Sequence, residues 1–292
     1  MQSDKITVKT KDGVSIAVTI HAPQENSVKG AVIVSHGFGE HSGSYNEIAG
    51  YLNQADYVCV VFDQRGHGSF SEESPEKRKK LLGITPGYKY FLEDIDAIIA
   101  EIKQKAPNVP VILYGHSMGG NIVANYLLAH NQSDITCAVL ESPWLGLYKE
   151  LNPLVAGLAK LLGHISPGMA IINKLTFSDI TDDELKQEEF KNDPLYHNRI
   201  SFRMFSGIKN GCAYAVKNAS RITIPIYLTY AKNDRIVSNN AIQKFIGTCG
   251  KNVTIKEYDS CHAIHNSVIR KEFYQDFIKF IEAYCLAYPG VV

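Results

Sequence analysis

The chain has 292 residues, of which 45% are hydrophobic, and its 30 lysines and arginines balance 30 aspartates and glutamates. A length of this order suits one large α/β sheet that carries an insertion. The zero formal net charge argues against a broad basic surface, so no nucleic-acid partner is expected. Residues 1–5 lack the apolar core of a signal peptide, which favours a cytoplasmic location.

The six cysteines are scattered along the chain and none belongs to a C-x-x-C pair, which indicates reduced thiols rather than a disulfide framework. No H-E-x-x-H motif or Cys/His pair at ligand spacing occurs. The sequence therefore predicts neither a metal site nor an organic cofactor.

The N-terminal region predicts an antiparallel hairpin, because two segments with alternating apolar residues flank Lys11-Asp12-Gly13. Further along the chain the pattern changes to continuous apolar runs, typical of strands that are covered on both faces in a parallel sheet. Helical periods lie between these runs. Together they predict an α/β fold with a mostly parallel central sheet and an antiparallel N-terminal edge. The apolar runs are residues 31–34, 57–62, 111–114, 138–140 and 224–228.

The interval between Glu141 and Arg221 interrupts this alternation, and no clear strand is expected in it. Six apolar residues there fall on one helix face. Such a helix could pack on the sheet or form a lid over a site. Prolines, glycines, Lys160 and His164 argue against a true membrane span over residues 151–172, but an amphipathic lid in contact with lipid stays open. The six residues are Leu151, Leu154, Val155, Leu158, Leu161 and Leu162.

The motif Gly115-His116-Ser117-Met118-Gly119 lies between an apolar run and a helix-like stretch, residues 121–128. Strand, sharp turn and helix are the setting of a nucleophile elbow, in which the serine hydroxyl projects above the sheet. Ser117 is therefore the candidate nucleophile.

A serine nucleophile needs a base, and the base needs a carboxylate that fixes its tautomer. Asp234 and His262 each follow a strand-like run, and such loops meet at one edge of a parallel sheet. Two alternatives stay open. Asp234 could only cap the helix that begins near Ser238, and His265 competes with His262 as the base.

The oxyanion hole requires two backbone donors. One is expected from Met118, directly after the nucleophile, and the other from Phe38 in the loop after the third strand. His36 and His67 are interpreted as residues that fix loops. Asp63 and Arg65 are candidates for a structural pair.

With these residues in place, the chain resembles the monoacylglycerol lipase/lysophospholipase branch of the α/β-hydrolases, including its serine aminopeptidase S33-like domain. The H-G-x-G-E-H block at 36–41, R-G-H-G at 65–68 and H-A-I-H at 262–265 carry the resemblance together with the elbow, with N-D-P-L at 192–195 and with N-D-R-I-V at 233–237. The resemblance implies an α/β-hydrolase fold, a Ser117-Asp234-His262 triad and an oxyanion hole from Phe38 and Met118.

A helical cap over about residues 143–215 is also implied, between core segments 1–142 and 216–292. Within the cap, Leu151, Val155 and Leu158 are the expected substrate-binding residues. The cap departs most from the family pattern, and it sets the choice of substrate.

The sequence thus predicts a serine carboxylester hydrolase that acts on a fatty-acyl ester of the monoacylglycerol type, with peripheral membrane contact through the cap as an option. Lysophospholipase and short-chain carboxylesterase are alternatives within the same chemistry. A serine aminopeptidase would need cap carboxylates to hold a free amino terminus, and a non-catalytic binding module is a further alternative. The oligomeric state is left open. The cap carboxylates are Asp182, Asp183, Glu184, Glu188 and Glu189.

Overall fold

The computed structural model describes residues 2–24, 28–70, 75–172 and 175–285. Its strands, in chain order, are β1 (Gln2–Lys9), β2 (Ser15–Ala22), β3 (Gly30–Ser35), β4 (Tyr57–Phe62), β5 (Val111–His116), β6 (Cys137–Glu141), β7 (Ala170–Ile172), β8 (Arg199–Ser201), β9 (Ile226–Ala231) and β10 (Val253–Tyr258). Its α-helices are α1 (Asn46–Gln54), α2 (Pro75–Leu81), α3 (Lys89–Lys105), α4 (Met118–Ala129), α5 (Pro153–Ile165), α6 (Phe177–Ile180), α7 (Glu184–Asn192), α8 (Phe202–Asn218), α9 (Asn239–Thr248) and α10 (Arg270–Cys285).

Eight strands form the central sheet in the order β1-β2-β4-β3-β5-β6-β9-β10. The predicted hairpin forms, with Lys9 opposite Ser15, and β2 pairs antiparallel with β4. All other pairings in this sheet are parallel. The predicted mostly parallel sheet with an antiparallel N-terminal edge is therefore confirmed.

The sheet is covered on both faces, which explains why its central strands are continuously apolar. Every residue of β3, β5 and β6 is buried. One hydrophobic cluster joins the sheet to α3, α4, α8 and α9, through residues such as Phe91, Ile122 and Ile208. A second cluster joins the opposite face to α1 and α10, through Ile48 and Phe277.

The interval between Glu141 and Arg221, which contains the predicted cap, differs from expectation in one respect. It contains two short strands, β7 and β8, which pair antiparallel from Ala170–Ser201 to Ile172–Arg199. The expectation of no strand was therefore wrong. Segments of three residues are too short for alternation to stand out in a sequence. The expected boundary after residue 215 falls within α8, and the division into segments 1–142, 143–215 and 216–292 stays a prediction.

Helix α5 forms as expected, with Asn152 as its N-cap and a proline in its first turn. It contacts α8 through small residues: Ala159 is buried, and a Cβ on Gly163 would lie 3.1 Å from the backbone of Phe202 and Arg203. Most of its large apolar side chains are exposed, Leu154 to 84%. The reading in which this face packs on the sheet was therefore wrong, because the small residues on the other side make the contact.

Among the described residues, no helix combines the length and the apolar character needed to cross a membrane.

Candidate active site

Ser117 occupies the sharp turn between β5 and α4, with φ 52° and ψ −114°. A positive φ is rare for a residue with a side chain, and such strain persists only where neighbours hold it. Here the Ser117 N–H donates to the Glu141 carbonyl (2.9 Å), and the Ser117 carbonyl accepts from the Trp144 N–H (2.8 Å). The turn also needs glycine at 119, because a Cβ there would lie 1.8 Å from the Ser35 carbonyl oxygen.

The structure brings Ser117, His262 and Asp234 together as a hydrogen-bonded series. His262 Nε2 lies 2.8 Å from Ser117 Oγ, and His262 Nδ1 lies 2.6 Å from Asp234 Oδ2. The second carboxylate oxygen of Asp234 accepts from the N–H groups of Ile236 (2.8 Å) and Val237 (2.9 Å). This geometry allows proton transfer from the serine to a correctly oriented imidazole.

The alternatives for these residues are also located. Ser238, rather than Asp234, is the N-cap of α9, where its side chain accepts from the Ala241 N–H. His265 lies in the 3₁₀ helix Ile264–Asn266 and bonds to Glu141, with Nδ1 3.0 Å from Oε1. His262 is thus the histidine within reach of Ser117, while the catalytic roles stay predictions.

The pKa of His262 is raised above its ordinary value. Burial by itself disfavours the imidazolium, but the charge of Asp234 and its hydrogen bond outweigh that effect. A neighbouring carboxylate stabilises the protonated ring in this way. An imidazolium formed during catalysis would therefore be stabilised at the position where it forms.

Two buried carboxylates, Glu40 and Glu141, flank the ring of His116 behind the elbow. Glu40 Oε1 lies 3.4 Å from His116 Nε2, and Glu141 Oε1 lies 3.6 Å from His116 Nδ1. Glu40 also accepts from the Gly37 N–H (2.9 Å) and the Tyr45 hydroxyl (2.7 Å). Burial raises the pKa of Glu40, yet the charge of His116 and its hydrogen bond bring it well below the ordinary range. The cluster thus stabilises both the loop after β3, residues 36–41, which we call the oxyanion loop, and the elbow.

His116, Glu141 and His265 could geometrically hold a metal ion, since one ligand atom from each lies within 4.8 Å of the others. The Glu141 oxygens, however, already accept hydrogen bonds from His265 and from the Tyr114 hydroxyl. We therefore interpret this cluster as a hydrogen-bonded group that holds the site in place, rather than as a metal site.

Both residues that are expected to supply the oxyanion donors belong to the site. Phe38 lines the same cavity as Ser117 and His262, and Met118 is the first residue of α4. Neither backbone N–H donates a hydrogen bond to another group in the part of the chain that the structure describes. Free N–H groups at a helix N-terminus and in an adjoining loop can bind an oxyanion.

The loop residues agree with expectation except for one pair. His36 bonds the Gly37 carbonyl (2.8 Å) and the Gln64 N–H (3.0 Å), and the ring of His67 contacts the Arg65 carbonyl (3.2 Å). The expected Asp63–Arg65 pair does not form. Asp63 instead accepts from the N–H groups of Ser42 and Ser69, both at 2.6 Å. Arg65 binds Asp94 and Asp12, which approach from α3 and from the N-terminal hairpin.

A cavity of about 1010 Å³ extends from Ser117 and His262 under the cap. Its volume lies at the upper end of the range for small-molecule sites. Its polar lining residues include Asp193, Tyr196, His197, Asn198 and Arg235. Its more extensive apolar lining includes Leu147, Leu151, Ile171, Ile172, Leu175, Phe205 and Ile236.

Of the three expected cap residues, Leu151 lines this cavity, whereas Val155 and Leu158 are absent from the lining formed by the described residues. Both lie on the exposed face of α5. The cavity is lined instead by β7, which sequence reasoning missed because of its length.

Two contacts join the cap to the oxyanion loop. His41 Nε2 lies 2.7 Å from Asp193 Oδ2, and the His197 N–H donates to the Gly39 carbonyl (3.0 Å). Sequence reasoning assigned these residues no role, although Asp193 belongs to the N-D-P-L block. Glu141 carried a clearer signal, because it is a carboxylate at the end of an otherwise apolar strand.

The central sheet has eight, mostly parallel strands, and the strained serine follows β5. Its histidine and aspartate lie in later loops. This combination defines a hydrolase of the α/β-hydrolase class. The sequence model of one family, described as "Serine aminopeptidase, S33", matches residues 26–268. The chain belongs to this family.

Individual relatives agree with this assignment. The chain is 26% identical to a monoacylglycerol lipase of Mycolicibacterium smegmatis, over 92% of this chain and 93% of that protein. The crystal structure of a monoacylglycerol lipase from Paleococcus ferrophilus is 26% identical, with a TM-score of 0.80, and covers 97% of this chain and 100% of that chain. An abhydrolase domain-containing protein of Dictyostelium discoideum is 26% identical over 97% of this chain, which spans only 29% of that longer protein.

Proposed function

We propose that the protein is a serine carboxylester hydrolase that releases a fatty acid from a monoacylglycerol-type ester. The observation that carries the proposal is the series Ser117–His262–Asp234, which opens into a large and mainly apolar cavity. Relatives named monoacylglycerol lipase support the choice of substrate class.

In the first half-reaction, Ser117 Oγ attacks the ester carbonyl carbon and its proton passes to His262 Nε2. The Phe38 and Met118 N–H groups stabilise the oxyanion that forms, and such a donor contributes about 3 kcal/mol. The tetrahedral adduct then loses the alcohol, which takes the proton from His262 Nε2. Ser117 is left acylated.

In the second half-reaction, water attacks the acyl carbon and gives its proton to His262 Nε2. The bond between carbon and Ser117 Oγ breaks, the serine regains the proton, and the fatty acid leaves. Asp234 keeps the imidazole in position throughout and stabilises its charged form.

The charges of the cavity favour an uncharged head group. Three cations line it, and three carboxylates offset them. The phosphate of a lysophospholipid would bind more tightly to cations that no nearby carboxylate offsets. We therefore rank monoacylglycerol above lysophospholipid as the substrate. The cations are Lys149, Lys191 and Arg235, and the carboxylates are Glu40, Asp179 and Asp193.

Four of the five cap carboxylates considered for an aminopeptidase have other partners. Asp183 caps α7 and pairs with Arg270, while Glu189 pairs with Lys186. Asp182 accepts from the Val268 N–H, and Glu188 pairs with Lys191. None of these four, nor Glu184, is among the described residues that line the cavity. Of the two cap carboxylates that do line it, Asp193 binds His41 and Asp179 accepts from the Thr176 hydroxyl. This arrangement supports ester over peptide hydrolysis.

Peripheral membrane contact through the cap is the second part of the proposal. The exposed apolar residues of α5 continue into β7, where Ile172 is 68% exposed and also lines the cavity. Exposed apolar side chains therefore adjoin the cavity, where a single-chain lipid could enter from a bilayer. Burial of apolar side chains at the interface would supply the affinity.

One substrate panel tests the proposal. Fatty acid release from a monoacylglycerol, a lysophosphatidylcholine and p-nitrophenyl butyrate is compared with cleavage of an aminoacyl anilide, for the wild type and Ser117→Ala. We expect the monoacylglycerol to give the highest kcat/KM and Ser117→Ala to lose activity on every ester. Full esterase activity in Ser117→Ala would overturn the mechanism, anilide cleavage alone would favour an aminopeptidase, and no hydrolysis would favour a binding module.

A further inference from the structure

A second cavity of about 370 Å³ lies between α8, α9 and the loop after β6. We call it the α8–α9 groove. Its apolar lining includes Leu145, Cys212, Ala213 and Val216. The volume lies within the range of small-molecule sites, and neither the proposed reaction nor its substrate uses this groove.

A thin wall separates the groove from the reaction cavity. Trp144, Leu147 and Phe205 line both cavities and form the part of the wall that the two share. Trp144 also bonds to the nucleophile turn, because its N–H donates to the Ser117 carbonyl. Its own carbonyl accepts from Asn121 Nδ2 (2.8 Å) and Cys212 Sγ (3.0 Å). A ligand in the groove would therefore touch a residue that is bonded directly to the elbow.

The groove is cationic at its edge. Lys209, Lys217 and Lys244 line it, against one carboxylate, Glu150. Lys209 Nζ pairs with Glu150 Oε2 at 3.2 Å. Lys217 and Lys244 have no ion-pair partner in the described part of the chain. Two uncompensated ammonium groups beside an apolar floor match a ligand with a carboxylate and a hydrocarbon tail.

We propose that the α8–α9 groove binds a fatty acid, with its carboxylate at Lys217 and Lys244 and its chain on the apolar floor against Trp144. The choice of a fatty acid among anionic amphiphiles rests on the proposed function, in which that compound is the product. The protein would then carry a second, non-catalytic site for its own product, on the far side of the wall from Ser117.

Trp144 is the sole tryptophan of the sequence, so its fluorescence reports on this site without a label. Because Trp144 also faces the reaction cavity, that cavity is first blocked with a dodecyl fluorophosphonate on Ser117. The blocked protein is then titrated with laurate below its micellar concentration, and separately with dodecanol as an uncharged control.

We expect a saturable change in Trp144 emission with laurate in the blocked protein, and weaker binding of dodecanol. Lys217→Glu/Lys244→Glu should raise the laurate Kd about tenfold or more, since a charge-assisted hydrogen bond is lost at each lysine. Lys5→Glu/Lys9→Glu is the matched control, because it changes the net charge equally at exposed positions of β1, the opposite edge strand. This control should leave the Kd unchanged.

Ala213→Asp provides an independent variant, as it adds a carboxylate at an exposed position of the groove lining and should also weaken laurate binding. A laurate response only in unblocked protein, or an equal Kd in Lys217→Glu/Lys244→Glu and in wild type, would overturn the proposal. If the fluorophosphonate does not label the protein, the proposed function fails. The same laurate titration of Ser117→Ala, with and without the two lysine substitutions, then still tests whether the groove binds a fatty acid.

Discussion

Glu141 at the end of β6 accepts two hydrogen bonds from His265, one from the backbone N–H and one from ring Nδ1, both at 3.0 Å. The Glu141 backbone carbonyl accepts the N–H of Ser117 (2.9 Å). One buried residue thus connects the nucleophile turn with the loop that follows His262. Its side chain affects the stability of the site without touching the substrate.

Glu141→Gln should lower the free energy of unfolding by about 2 kcal/mol, because it removes a fully buried carboxylate that accepts hydrogen bonds from His265. Urea unfolding near neutral pH measures the change. Glu189→Gln is the matched control: its exposed pair with Lys186 should be worth less than about 1 kcal/mol. A loss below about 1 kcal/mol in Glu141→Gln would contradict the expectation.

The same variant has a pH signature. Burial tends to raise the pKa of Glu141, but the charges of His265 and His116 lower it to about 2, against an ordinary 4.5. A lowered carboxyl pKa stabilises the fold fully above pH 4.5, and that contribution is lost as the pH falls towards 2. Wild-type stability should therefore fall more steeply than that of Glu141→Gln between about pH 5 and about pH 3.

His262 and His265 should separate clearly in kinetics. His262→Ala should reduce kcat by about 10³-fold or more, since it removes the base within 2.8 Å of Ser117 Oγ. His265→Gln should cost about tenfold or less in kcat, because that ring bonds to Glu141 and acts through position. Single-turnover acylation with a p-nitrophenyl ester measures both. If His265→Gln lost more kcat than His262→Ala, His265 rather than His262 would be the base.

The pH–rate profile depends on His262 because only the neutral imidazole can accept the proton of Ser117. The pKa of His262 is raised by Asp234, so kcat/KM should rise with pH through a midpoint above 6.5, the ordinary value. Asp234→Asn removes the charge that holds the pKa up. It should shift the midpoint to lower pH and reduce the plateau by about 10⁴-fold. An unchanged midpoint would show that another group titrates.

Several parts of this architecture follow from the sequence for definite reasons. Long apolar runs predict buried parallel strands, and glycines at positions 115 and 119 predict the elbow. The structure gives the reason for these glycines, because backbone atoms lie within 2.6 Å of where a Cβ would be at either position. Asp234 and His262 follow from their places after strands. These features depend on local pattern, which a single sequence contains.

Other parts depend on contacts between distant segments. Arg65 binds Asp94 and Asp12, which come from two other elements, although Asp63 is nearer in sequence. Leu154 and Leu158 have the spacing of a core-facing helix but are exposed, because Ala159 and Gly163 allow α5 to approach α8 on its other side. Periodicity identifies a face and does not say what covers it.

Gly119→Ala tests how tightly the elbow is packed. A Cβ there would lie 1.8 Å from the Ser35 carbonyl oxygen, so the backbone must move. We expect a loss of about 3 kcal/mol or more in stability, together with loss of activity. Gly50→Ala in α1 is the control, because no atom outside its own stretch of α1 lies within 4 Å of its added Cβ. It should stabilise the protein by up to about 1 kcal/mol. Thermal melts and esterase assays compare the two.

The exposed face of α5 should govern binding to lipid. Leu154 and Ile165 are 84% and 70% exposed, so Leu154→Asn/Ile165→Asn should leave stability nearly unchanged. The double variant should weaken partition into phosphatidylcholine vesicles by about tenfold or more, because it removes apolar groups that would enter the interface. Hydrolysis of p-nitrophenyl butyrate in solution should stay the same, since neither residue is in the described lining of the cavity. Leu185→Asn is the control: Leu185 is 78% exposed but belongs to α7.

A sedimentation assay compares vesicle binding by the wild type, the double variant and the control. Equal binding by all three proteins would mean that α5 does not contact the bilayer. A loss of binding in the double variant alone would assign the membrane contact to α5, beside the cavity residues of β7.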